Sequence, residues 1–225
     1  MTNKYKASTF ICSEIEQKIA TGAYKDGEKL NEADLADEFN VSRTPLREAF
    51  QILEGIGLVE LIPNRGAFVR RPTMTRLVEM FEFMAELEAW CVKLATRRLT
   101  SAQQLYLKRA ASDCEKALRA GKNDEYYEAN NRLHGMIYQA SGNAVLEEEA
   151  HRMHRRLRPF RRKQLDVTGR LEKSMQEHAD ILAAMDEGDE EKAADLMRKH
   201  IYTLGNTYDQ YLAALEEVPA DVIEL

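Results

Sequence analysis

The stretch NVSRTPLREAF, residues 40–50, sets a Ser just ahead of a helix whose first turns carry two arginines, Arg43 and Arg47. Ser42 is a good N-cap, and Pro45 falls in the first turn, where its missing N–H costs nothing. Ala49, Ile52 and Leu53 are expected to face inward, with Gly55 at the end. Upstream, Asn31 can cap a short helix that buries Leu35 and Phe39, with Asn40 and Val41 as a tight turn between the two helices. Residues 7–21, ASTFICSEIEQKIAT, place Phe10, Ile11, Ile15 and Ile19 at helical spacing, and Gly22 suits the stop. Downstream, residues 57–72, GLVELIPNRGAFVRRP, alternate apolar residues on either side of Pro63–Gly66, the mark of a β-hairpin.

A short helix, a tight turn, a second helix and a hairpin make a winged helix-turn-helix. The second helix of that motif enters the DNA major groove by its N-terminal residues, here Ser42, Arg43, Thr44 and Arg47. An Arg fork can bond guanine O6 and N7 together, worth ~1–3 kcal/mol of discrimination. Hydroxyls and the helix's leading N–H groups suit phosphate oxygens. Arg65 and Gly66 sit at the wing tip, within reach of the backbone or the minor groove. In isolation two exposed arginines on a capped helix are an ordinary solvated surface; the surrounding architecture turns the balance toward DNA. Arg70 and Arg71 are served equally well by interdomain salt bridges.

The 225 residues are 44% hydrophobic and 31% charged, and the formal charge is −6. That acidity argues against a protein that coats nucleic acid by bulk charge, while local base recognition needs only a few side chains. No window approaches the ~18 apolar residues of a membrane span, and the N-terminus lacks a signal peptide's apolar core. Cys12, Cys91 and Cys114 are odd in number and far apart, so reduced thiols and a cytoplasmic location are expected.

Beyond Thr73 every segment has helical periodicity, giving about six helices, one with Pro159 inside it as an expected kink. The fold class is therefore mostly α: a DNA-binding winged helix over residues 1–72, an all-α antiparallel bundle over 73–216 and an irregular tail, 217–225. Phe81, Phe83, Trp90, Tyr126, Tyr127 and Tyr138 are taken mostly as core. All five histidines lie in the bundle. His134 has Asn130 four residues earlier on the same face. His178 and His200 straddle a turn at Gly188, ~15 and ~18 Å along their helices at ~1.5 Å per residue, hence nearly level if those helices pair. Three converging imidazoles could hold a divalent transition metal, with positions left for water or a ligand. Spacing alone favours the plainer account, in which each is a satisfied polar residue. His151 and His154, among many basic residues, are expected at the surface or a pocket rim.

The segment IATGAYKDGEKLNEADLADEFNVSRTPLREAFQILEGIGLVELIPNRGAFV resembles the DNA-binding domain of the GntR family of bacterial transcription regulators. The resemblance covers residues 15–69, and VSRTPLREA is its most specific part. It implies DNA contacts at Ser42, Arg43, Thr44, Arg47 and Gly66, although EADLADE lacks the Arg that members often carry in the preceding helix. Residues 73–214 resemble the helical ligand-binding FCD domain of the FadR subfamily, through ELEAWCVKLAT, NNRLHGMIYQASGN and EHADILAAMDEGDEEKAADLMRKHI. That resemblance implies a metal, often zinc, on Asn130, His134, His178 and His200, with an amide oxygen where many members have a carboxylate. It also implies a small organic acid as effector. Arg152 and Arg156 flank the Leu146–Met153–Leu157 stripe and are candidates to border that pocket, a solvated basic face being the equal alternative. Met84 stands where the family often has Arg, so the acid is gripped differently or is less anionic.

The expectation is a cytoplasmic homodimeric regulator, more a repressor than an activator, that binds a double-stranded DNA operator. It is not expected to be an enzyme or to meet a membrane. Two alternatives stay open at this point: a metal-dependent helical enzyme fused to a DNA-binding tether, and a metal-free sensor with a structural histidine cluster.

Overall fold

The computed structural model describes the backbone of residues 2–164 and 167–216, and the side chains of residues 7–163 and 167–203. The expected tail, residues 217–225, lies outside the described residues. The chain divides into two compact units, Met1–Arg76 and Leu77–Leu225.

The first unit runs α1 (Thr2–Ala20), β1 (Lys29–Leu30), α2 (Glu32–Glu38), α3 (Arg43–Gly55), β2 (Val59–Ile62) and β3 (Gly66–Val69). Its core is α1 on α3: Ile11, Ile15 and Ile19 are fully buried, as are Leu46, Ala49 and Leu53. Each such aliphatic side chain contributes about 1.5–3 kcal/mol on burial. Phe39, at the C-cap of α2, is only half-buried, and two further residues depart from the expected core. Ile52 is 41% exposed, because the buried line of α3 is Leu46, Ala49, Phe50 and Leu53, and position 52 lies a third of a turn off it. Phe10 is 58% exposed and rests edge-on against Phe39 with ring centroids 6.2 Å apart. The hairpin pairs Val59 with Val69 and Ile62 with Gly66; Asn64 at φ 59 and Gly66 at φ 102 make the left-handed turn. Strand β1, too short to show as periodicity, pairs Leu30 with Ala67 on the other side of β3, giving sheet order β1-β3-β2.

The second unit is helical: α4 (Met74–Arg98), α5 (Ser101–Arg119), α6 (Asn123–Ala140), α7 (Ala144–Gln164), α8 (Arg170–Glu187) and α9 (Glu190–Glu216). Helix α7 continues through Pro159 as one helix. Thr100 caps α5 in a reciprocal box with Gln103. Helix α5 packs on α6 and α8, α8 on α9, and α7 on both α6 and α9. Gly188, at φ 74, closes α8 and lets α9 turn back beside it. Phe81, Tyr126, Tyr127 and Tyr138 are core as expected, whereas Phe83 and Trp90 are 50% and 62% exposed. They lie seven residues apart on the outer face of α4, off the buried line of Phe81, Met84, Ala85 and Glu88. No described helix is long and apolar enough to cross a membrane.

Candidate functional site

In the first unit, Ser42, Arg43, Thr44 and Arg47 are all exposed at the N-terminal end of α3, and Arg65 and Gly66 are exposed at the wing tip. Ser42 holds the N-cap position with extended backbone but makes no side-chain cap bond, so its hydroxyl is not consumed by the helix. Arg47 Nε donates to Glu32 Oε2 at 3.0 Å and its Nη2 lies 2.9 Å from the same oxygen, which ties α3 to α2. The Arg65 guanidinium sits 5.6 Å from the Phe68 ring centroid, a cation–π contact that steadies it at the tip.

In the second unit, α6, α8 and α9 bring His134, His178 and His200 together, each at most 2% exposed. One nitrogen from each can be chosen so that all three lie within 4.8 Å of one another. The ring centroids stand 5.3, 5.4 and 4.7 Å apart for the pairs 134–178, 134–200 and 178–200. Asn130, one turn before His134 on α6, is also buried.

Two carboxylates, neither singled out by sequence reasoning as a partner of these rings, orient them. His134 Nδ1 meets Glu88 Oε2 at 2.5 Å, and Arg161 Nη1 donates to the other oxygen at 3.0 Å. His200 Nδ1 meets Glu177 Oε2 at 2.6 Å, and Arg170 Nη2 donates to that same oxygen at 2.7 Å. A carboxylate accepts from Nδ1–H, so the network places the proton there and leaves Nε2 as a lone pair, the tautomer a metal requires. Burial works to raise the Glu88 carboxyl, but His134 and Arg161 outweigh it and hold it far below the usual carboxylate range. Burial likewise works to raise Glu177, and the hydrogen bonds from His200 and Arg170 keep it low. Burial pushes His178 well below the ordinary imidazole value, with His200, His134 and the two arginines adding to the effect. Burial lowers His200 to about 4 although Glu177 opposes it. Both rings are thus neutral in the folded protein, as ligands must be.

Several atoms of the cluster are left over. Asn130 Oδ1, His134 Nε2, His200 Nε2 and both ring nitrogens of His178 are buried with no hydrogen-bond partner. Leaving one such group unsatisfied costs about 1–3 kcal/mol, so a shared partner for several of them would relieve a sizeable penalty. Four lone-pair donors, with two of the rings fixed from behind by carboxylates, fit a divalent transition metal.

The remaining expected residues lie on α7. Arg152 is exposed and ion-paired with Glu149, and Arg156 lies one turn on along the same face of α7. The buried guanidiniums are Arg161 and Arg170, each with a side chain 3% exposed. His154, expected at the surface or a rim, is instead buried, its ring 6.2 Å from His134 and its pKa pushed well down by burial and Arg161. Its turn of α7 also carries Leu157 and Arg161 inward; the flanking exposed arginines hide that in the sequence. His151 is half-buried against Tyr138.

A winged helix with exposed arginines opening its second helix, followed by a helical bundle, defines a transcription regulator of the DNA-binding helix-turn-helix class. More narrowly, the chain belongs to the gntR family of bacterial regulatory proteins, matched over residues 7–69, and carries an FCD domain, matched over residues 79–203. It is 23% identical to the HTH-type transcriptional repressor RspR of Escherichia coli over 82% of this chain and 81% of that one. It is 29% identical to YdhC, an HTH-type transcriptional regulator of Bacillus subtilis, over 60% of this chain and 61% of that one. Among solved structures, E. coli McbR/YncC has the same fold, with a TM-score of 0.70 at 22% identity over 91% of this chain and 98% of that one.

Proposed function

We propose that this regulator is a cytoplasmic homodimeric repressor whose residues 1–72 read a double-stranded DNA operator. Its residues 73–216 hold a divalent transition metal, zinc by preference, and take a small organic acid that alters operator affinity. Ser42, Arg43, Thr44 and Arg47 enter the major groove, with Arg65 and Gly66 on the flanking backbone. Asn130, His134, His178 and His200 hold the metal. When bound, the ion supplies a Lewis-acidic anchor for the acid's carboxylate. The chain's own part is to exclude water, fix two of the rings through Glu88 and Glu177, and keep His178 and His200 neutral. Arg152, ion-paired with Glu149, and the half-buried Arg156 are candidates to border the effector pocket.

The observation that carries the proposal is the set of buried, partnerless lone pairs on Asn130 and the three histidines. Repression is supported by the name of the relative RspR. Reduced thiols, and with them the cytoplasm, are supported by Cys12, Cys91 and Cys114, all buried and none in a disulfide. Dimerisation is supported by Phe83 and Trp90, large apolar side chains left open on α4. Regulation in place of catalysis is supported by Glu88 and Glu177, each already bonded to an arginine and a histidine and so not placed as a general base. The effector must bind one arrangement of the dimer more tightly than the other, since equal affinity shifts nothing. The test is a gel-shift titration of operator DNA from the region beside the chain's own gene, with zinc or chelator, with and without organic acids. Operator affinity that responds to an acid only when zinc is present supports the proposal; affinity indifferent to both opposes it.

A further inference from the structure

The charges around the histidine cluster come in closed pairs. Arg161 is matched by Glu88 and Arg170 by Glu177, through hydrogen bonds of 3.0 and 2.7 Å. Each carboxylate also meets a histidine Nδ1. The four atoms that face the prospective ion, three imidazole nitrogens and the Asn130 amide oxygen, carry no charge. A dication placed there meets no anion that is not already balanced.

We infer that the effector of this protein is a small dianion, and that Asn130 is the residue that sets this charge requirement. The inference rests on the metal reading given above. A buried, uncompensated double charge is costly, and it is relieved fully by a ligand with two negative charges and only half by a monoanion. A carboxylate at position 130 would supply one of those charges from the protein and make a monoanion sufficient; an amide does not. A second observation agrees. Arg161 Nη2 and Arg170 Nε and Nη1 are buried N–H donors with no partner, although both guanidiniums are already neutralised. They supply hydrogen-bond capacity for anionic oxygen without adding net charge. The chemistry fits a short dicarboxylate or inorganic phosphate.

The experiment uses the full-length chain loaded with zinc, its metal content measured before and after titration. Calorimetric titration compares succinate and inorganic phosphate with butyrate, which matches succinate in length but carries one charge. The expected result is binding of succinate, phosphate or both at least about tenfold tighter than butyrate. Phosphate binding alone assigns the dianion to the inorganic source, and succinate binding alone to the dicarboxylates. In Asn130→Asp, zinc is retained and the preference for two charges over one shrinks about tenfold or more. Butyrate binding wild type as tightly as both dianions, with zinc in place, overturns the inference and leaves the metal reading standing. An unchanged charge preference in zinc-loaded Asn130→Asp removes Asn130 from the role. Zinc absent from the wild-type protein removes both the metal reading and the inference.

Discussion

Glu88 shows what a single residue does here. It is a fully buried carboxylate joining a histidine 46 positions away to an arginine 73 positions away. Its counterpart Glu177 does the same for His200 and Arg170 with part of its surface open, which makes it the safer site to alter. Glu177→Gln is expected to weaken zinc affinity by about 10–100-fold while the circular dichroism spectrum stays native, as for other partners of ligating histidines. Competition against a chromophoric chelator measures it, and unchanged affinity would make the contact incidental. The three histidines were legible through the family resemblance; the matched distances of two of them from a glycine turn favoured, taken alone, the plainer account. Glu88 left a fainter signal, a carboxylate on the apolar line of Met84, Ala85 and Val92. Its partners were not legible, since contacts over such separations follow from packing and leave no local pattern. Met84 is fully buried one turn before Glu88, so the guanidinium that meets this carboxylate comes from α7.

Among the elements, α3 followed from its cap, proline and spacing, and only Ile52 was misplaced, by about a third of a turn. The Arg47–Glu32 pair adds something the sequence did not show: α2 offers a carboxylate that holds Arg47 extended on the surface. Arg47→Ala is expected to abolish sequence-specific operator binding and leave the melting temperature within a few degrees of wild type. Fluorescence anisotropy on operator and scrambled duplexes checks it, and retained discrimination would count against the groove assignment. Helix α5 offers a stability test at a residue that belongs to neither site. Thr100→Ala removes a cap that accepts from the Gln103 backbone N–H, and is expected to cost ~1 kcal/mol in urea unfolding with zinc content unaltered. Strand β1 escaped notice because two residues cannot display a period.

For the whole molecule, the order of elements was legible because helical periodicity is strong and glycines mark several of the helix ends. The histidine environment then dictates how stability responds to acid. His178 and His200 titrate below the ordinary imidazole value of 6.5 in the folded state, His200 at about 4. As the pH falls through 6.5 the unfolded chain takes up protons that the native chain refuses, so the unfolded state gains. Metal-free protein is therefore expected to keep its full stability above that pH and to lose it steadily down to about 4, a loss of several kcal/mol. Urea midpoints across that range, in chelator, check the slope, and His178→Gln should flatten it. Zinc at about a hundred times its dissociation constant should add ~2.7 kcal/mol near neutral pH, an increment that acid erodes as protons compete for the rings.

The most direct test is the metal content of the purified, full-length protein. Expressed with zinc and freed of loose ions by gel filtration, wild type should carry about one zinc per chain by elemental analysis, and His178→Ala should carry almost none while keeping its helical spectrum. Wild-type protein that emerges without a divalent metal, or a His178→Ala variant that holds as much as wild type, would contradict the account.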